Sequence, residues 1–128
     1  MDFERYRVPA SVREGVVIEL PGTSEAQFLV ALPSEHNRAY SAAVQRATPI
    51  TLDDDDRPDF SKVDYVSWQS ARIEAFLQHC ILRMPDGLTP EALRGDYYPG
   101  LVALFRCAED LASDENDRAK AATKKSRA

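Results

Sequence analysis

The chain has 128 residues, which suits one domain in the common range of about 100–150 residues and is long enough to bury a core. Hydrophobic residues make up 44% and charged residues 29%, the balance of a globular chain rather than a disordered one. The net charge of −5 argues against a nucleic-acid binder, because phosphate contacts need a cationic surface.

Residues 1–15 are charged and irregular, punctuated by Pro9 and Gly15, and read as an N-terminal arm or an extra edge strand. The stretch Met1-Asp2-Phe3-Glu4-Arg5 starts acidic and lacks the apolar run of a signal peptide. No apolar run reaches the roughly 18–20 residues that span a bilayer. Two cysteines, Cys80 and Cys107, lie in apolar helical sequence and form no disulfide framework. The expected setting is cytosolic, with no membrane contact.

The globular unit is expected over 16–112. Val16-Val17-Ile18-Glu19-Leu20 and Phe28-Leu29-Val30-Ala31-Leu32 are short, β-rich and bounded by Pro and Gly, so they read as a loose hairpin over 16–32. A lone hairpin is marginal in water and must pack on something. Helices supply that partner. Ser34 is the expected N-cap of a helix over about 34–47, with Ala39, Tyr40, Ala43, Val44 and Ala47 on one face and Thr48-Pro49 as the stop. Asp53-Asp54-Asp55-Asp56-Arg57-Pro58 makes an acidic loop. Next comes the strongest helix, about 61–84, starting near Ser61 or Asp64 and carrying Ile73, Phe76, Leu77, Cys80, Ile81 and Met84 on one face. Thr89-Pro90-Glu91 opens a short helix over 89–94, with Thr89 as cap and Pro90 at the first position. The last helix, 99–112, follows Pro99 and has the stripe Leu101, Leu104, Phe105, Ala108, Leu111 and Ala112. From Ser113 the stripe disappears, and 113–128 reads as a flexible, disordered C-terminal tail. The fold class is therefore α+β, an N-terminal β-hairpin packed on a small bundle of three to four helices.

No constellation of residues announces a reaction or a cofactor. A calcium loop needs a glycine at its sixth position and a glutamate at its twelfth; counted from Asp53, those positions hold Pro58 and Asp64. His79 and Cys80 are adjacent and point in different directions on a helix, unlike zinc ligands spaced two to four residues apart. Cys80 reads as a small core residue, and Pro21-Gly22-Thr23 lacks the features of a phosphate loop. The expectation is no catalytic residue, no metal and no cofactor, with a small enzyme using Cys80 or Cys107 as the competing class. Tyr65, Trp68, Tyr97 and Tyr98 flank helix starts and suit either core edges or a protein interface.

The order of elements resembles that of the tail assembly chaperones of lambda-like long-tailed bacteriophages. The resemblance rests on Val16-Val17-Ile18-Glu19-Leu20-Pro21-Gly22-Thr23, the strand Phe28 to Leu32, and Leu32-Pro33-Ser34-Glu35-His36-Asn37-Arg38-Ala39-Tyr40. It continues through Phe76-Leu77-Gln78-His79-Cys80-Ile81 and Leu88-Thr89-Pro90-Glu91, so that it spans about 15–112. Lys124-Lys125 is compatible with the A-rich slippery site of the programmed frameshift such proteins often use to make a longer form.

The resemblance implies a non-enzymatic chaperone in the cytoplasm of an infected host, absent from the mature virion. Such a protein binds the tape measure protein, helps recruit major tail tube subunits, and self-associates along its client. An amphipathic client needs an apolar groove with a polar rim. That groove is expected between the 73–84 and 101–112 helices, edged by Trp68, Tyr97 and Tyr98, with Tyr65 as a fourth partner-binding aromatic. The alternative is a head–tail connector or other structural phage morphogenesis protein. An adaptor domain of the host fits the same residues.

Overall fold

A computed structural model describes residues 3–22 and 26–127. The elements in chain order are α1 (Ala10–Arg13), β1 (Val16–Glu19), β2 (Gln27–Val30), α2 (Arg38–Ala47), β3 (Thr51–Leu52), β4 (Pro58–Asp59), α3 (Tyr65–His79), β5 (Ile81–Arg83), α4 (Pro90–Arg94) and α5 (Tyr98–Arg127), after a 3-10 turn at Glu4–Tyr6. The architecture is α+β: a small antiparallel sheet of order β1-β2-β5 backed by helices.

The hairpin pairs Val16 with Val30 and Ile18 with Phe28. Period-two alternation sends Ile18, Phe28 and Val30 into the core and leaves Val17 exposed. α3 and α5 cover that inner face. Ile73, Phe76, Leu77 and Cys80 meet Leu101, Leu104, Phe105 and Ala108 in one buried cluster, which Leu32, Tyr40 and Leu93 join. Phe76 and Phe105 pack edge to face with ring centroids 5.3 Å apart. Both are fully buried, so cutting either to Ala is worth about 3–5 kcal/mol.

The N-terminal segment is built into the domain rather than lying apart from it, and it holds a 3-10 turn and one turn of α-helix in place of an edge strand. Leu32 N donates to Ser11 O at 3.1 Å, and Ser11 Oγ donates to Glu115 Oε1 at 2.7 Å. Gly15 joins α1 to β1 at φ +85°, and a Cβ there would sit 3.0 Å from Val30 O, so only glycine fits this approach of backbone to sheet.

The start of α2 and the ends of α3 and α5 differ from the sequence expectation. α2 starts at Arg38 and not at Ser34, because Asn37 takes the cap: its Oδ1 accepts from Tyr40 N at 3.2 Å. Ser34 instead closes a preceding turn, accepting from His36 N at 3.2 Å and, through its carbonyl, from Asn37 N at 3.0 Å. Of the two starts expected for α3 the structure takes the second: the helix begins at Tyr65 with Asp64 as its cap, accepting from Val66 N, while Ser61 bonds back to Asp59. It also ends at His79. The residues 81–83 that seemed to extend its stripe are extended instead and pair with the free side of β2, Val30 opposite Ile81. A strand of three residues has no propensity signature of its own; it exists because β2 offers an open edge.

The short helix α4 has Thr89 as its cap, Thr89 Oγ1 accepting from Ala92 N at 3.1 Å. Helix α5 does not stop near 112. Its backbone runs on as helix to Arg127, a length of about 45 Å, while core burial ends at Ala112. Ala, Arg and Lys are strong helix formers, which lets the helix persist past the last apolar contact. Among the described residues no helix is long and apolar enough to cross a membrane.

Candidate binding surface

The acidic connector forms the turn of a second small hairpin, with Thr51 opposite Asp59 and Leu52 opposite Pro58. Asp53 organises it: Oδ1 accepts from Asp55 N at 2.9 Å and from Arg57 N at 3.0 Å, while Asp56 takes φ 58°. Asp53 thus serves the backbone of its own turn. Among the described residues no group of three or more His, Cys, Asp or Glu is placed to hold a metal ion.

This hairpin leads into an exposed apolar stretch. Leu52 (62%), Phe60 (63%), Tyr65 (68%) and Val66 (70%) all face solvent within a short length of chain at the start of α3. Scattered apolar side chains on a surface need no explanation; four within one exposed segment beside an acidic turn make that segment the candidate binding surface. The Asp64 cap sits among them, its carboxyl held below the usual range by the hydroxyl of Ser67, which donates to Oδ2 at 2.6 Å.

Behind that segment lies an anchored polar centre. The guanidinium of Arg72 stacks over Trp68 at 4.5 Å from the ring centroid and over Phe105 at 5.2 Å. It donates to Gln69 Oε1 at 2.9 Å, and it pairs with Glu109 across the α3–α5 interface. The Tyr40 hydroxyl of α2 also meets Arg72; burial raises its pKa, and the hydrogen bond to Arg72 partly offsets that rise. One arginine therefore ties α2, α3 and α5 together. Beside it opens a shallow cleft of about 240 Å³ lined by Pro33, Ser34, Glu35, Tyr40, Val44, Trp68 and Arg72. A second cleft of about 340 Å³ lies across the same Pro33–His36 loop, against Glu109, Ala112, Glu115 and Ala119 of α5.

The four aromatics picked out from sequence do not form one site. The pairs Arg72–Glu109 and Phe76–Phe105 set α3 and α5 antiparallel. Tyr65 and Trp68, with rings 6.1 Å apart, sit at the start of α3. Tyr97 and Tyr98 stand at the start of α5, beside the far end of α3, about 17 Å along that helix from Trp68. The groove expected between the two helices is also not there. Their apolar stripes fill each other, Phe76 against Phe105, and this face is core.

Cys80 caps α3 from inside the core, fully buried. Burial pushes its thiol up to about 12, and Asn37 Nδ2 lies 3.6 Å from its sulfur. It is protonated at neutral pH and shielded from reagents, the opposite of an activated thiolate. Cys107 is half-buried against the core.

Arg72 was not singled out from sequence, and Tyr40 only as a member of the apolar face of α2. The spacing Trp68 to Arg72 is i,i+4, which places a cation over a ring on any helix, so that part was legible. The exposed Leu52, Phe60 and Val66 lie on no periodic stripe and carried no signal. In comparisons with protein families, curated proteins and solved structures, the chain matches none.

Proposed function

We propose that this chain is a tail assembly chaperone of a long-tailed bacteriophage, binding the tape measure protein and bringing tail tube subunits to it. The single observation that carries the binding role is the exposed segment around Leu52, Phe60, Tyr65 and Val66, set on a rigid base of Trp68 and Arg72. A surface of this kind fits the apolar stripe of an amphipathic helix, and the adjoining Asp53–Asp56 turn suits basic residues flanking that stripe. The protein would act in the cytoplasm of the infected cell without chemistry of its own and leave before the virion is complete.

Support for the phage role is the order of elements, hairpin then helices with a Thr89-capped turn, together with the Lys124-Lys125 pair compatible with frameshifting. Co-expression with the tape measure protein encoded by the same phage tests the reading. Wild-type chain is expected to co-purify with it, whereas the Tyr65→Ala/Trp68→Ala double variant is expected to lose most of that binding while remaining folded. Tyr97→Ala/Tyr98→Ala, at the far end of the molecule, should bind as wild type does. Equal co-purification of all three would sink the proposal, and recovery of the chain from purified virions by mass spectrometry would favour a permanent structural part.

A further inference from the structure

Core burial along helix α5 ends at Ala112, and the helix carries an ordered charge pattern around and beyond it. Glu109, Asp110, Asp114, Glu115 and Asp117 come first with no base among them, and from Arg118 onward every charge is positive. The helix dipole favours bases at the C-terminal end but gives no reason for acids in the middle of the helix. Leu111, Asp114, Arg118 and Ala121 recur at steps of three, four and three, so they share one face, and all four are exposed. Among the described residues the side chains of Asp114 and Arg118 make no hydrogen bond or ion pair.

We propose that this face pairs antiparallel with the same face of a second copy, across a two-fold axis level with Asn116. That register sets Asp114 opposite the partner's Arg118 and Leu111 opposite the partner's Ala121, and symmetry repeats both contacts. A parallel pairing would put Asp114 against its own copy and is disfavoured by like charge. The charge order thus selects both the partner and its direction. The apolar seam is small, so the dimer is weak, forms at high concentration and is sensitive to salt. The inference stands on α5 alone and holds whatever the rest of the surface binds.

Sedimentation equilibrium of the full chain tests it. At low salt the wild type should show a monomer–dimer equilibrium that weakens as sodium chloride is added. D114R and R118D, each alone, set like charges opposite one another and should weaken dimerisation by roughly tenfold. An equimolar mixture of the two variants restores complementarity and should dimerise more tightly than either alone. Circular dichroism reads the helix content of each sample, and both positions lie outside the core. A monomer at all concentrations, a dimer indifferent to salt, or a mixture no tighter than its components would overturn the proposal.

Discussion

Arg72 is the residue on which the candidate surface depends. Its charge is matched by Glu109, its plane is held between Trp68 and Phe105, and Tyr40 closes the remaining side. Guanidinium and ammonium are not equivalent here, because only a flat, delocalised cation stacks on two rings while pairing with a carboxylate at its edge. Arg72→Ala leaves Glu109 half-buried without its partner and the Tyr40 hydroxyl without its donor, for a loss of about 2–3 kcal/mol. Arg72→Lys keeps the charge but not the stacking and should lose about half as much. Urea denaturation of the three chains checks the order. Equal stability of the Lys and Ala variants would show that charge contributes nothing and the stacking everything.

Among the elements, the boundaries of α2 and α3 show how far local sequence reaches. Thr89-Pro90-Glu91 announces α4 because the cap, the proline and the acid all act within one turn. Ser34 and Asn37 are both good N-caps, and choosing between them takes non-local information. Asn37 Nδ2 also reaches Leu32 O at 3.3 Å and Cys80 Sγ at 3.6 Å, and the second contact exists only once α3 has packed beside α2. β5 was hidden for the same reason. Ile81 and Met84 fit a helical stripe as well as they fit the strand region, and β2's open edge decides between them. The hairpin was legible because period-two alternation and its flanking turns lie in one stretch of chain. Asn37→Ala removes a cap and two further buried hydrogen bonds at once, so it should cost about 2 kcal/mol, toward the upper end for caps. Asp64→Ala, an exposed cap, should cost about 1 kcal/mol. Thermal unfolding of both variants measures the difference, and equal losses would mean that the buried contacts of Asn37 add nothing to its cap.

For the whole molecule, the division of surfaces is the main point. The sheet and the facing stripes of α3 and α5 form a closed core, leaving no channel between the helices for a client. Four exposed apolar side chains lie between the β3–β4 hairpin and the first turn of α3, and charge is gathered along the second half of α5. The client-binding end and the self-pairing helix proposed above would then act without competing for the same residues. The aromatic residues had pointed to an interface, but only Tyr65 and Trp68 belong to this surface. Sequence could not separate them from Tyr97 and Tyr98, because the antiparallel packing of α3 and α5 places the two pairs at opposite ends.

Hydrogen–deuterium exchange of the full chain, alone and with the tape measure protein proposed as its client, tests the proposed binding surface most directly. Slower exchange is expected across residues 51–72, with amides around Tyr97 and Tyr98 unchanged. Protection confined to the start of α5, or none anywhere at saturating client, would contradict it.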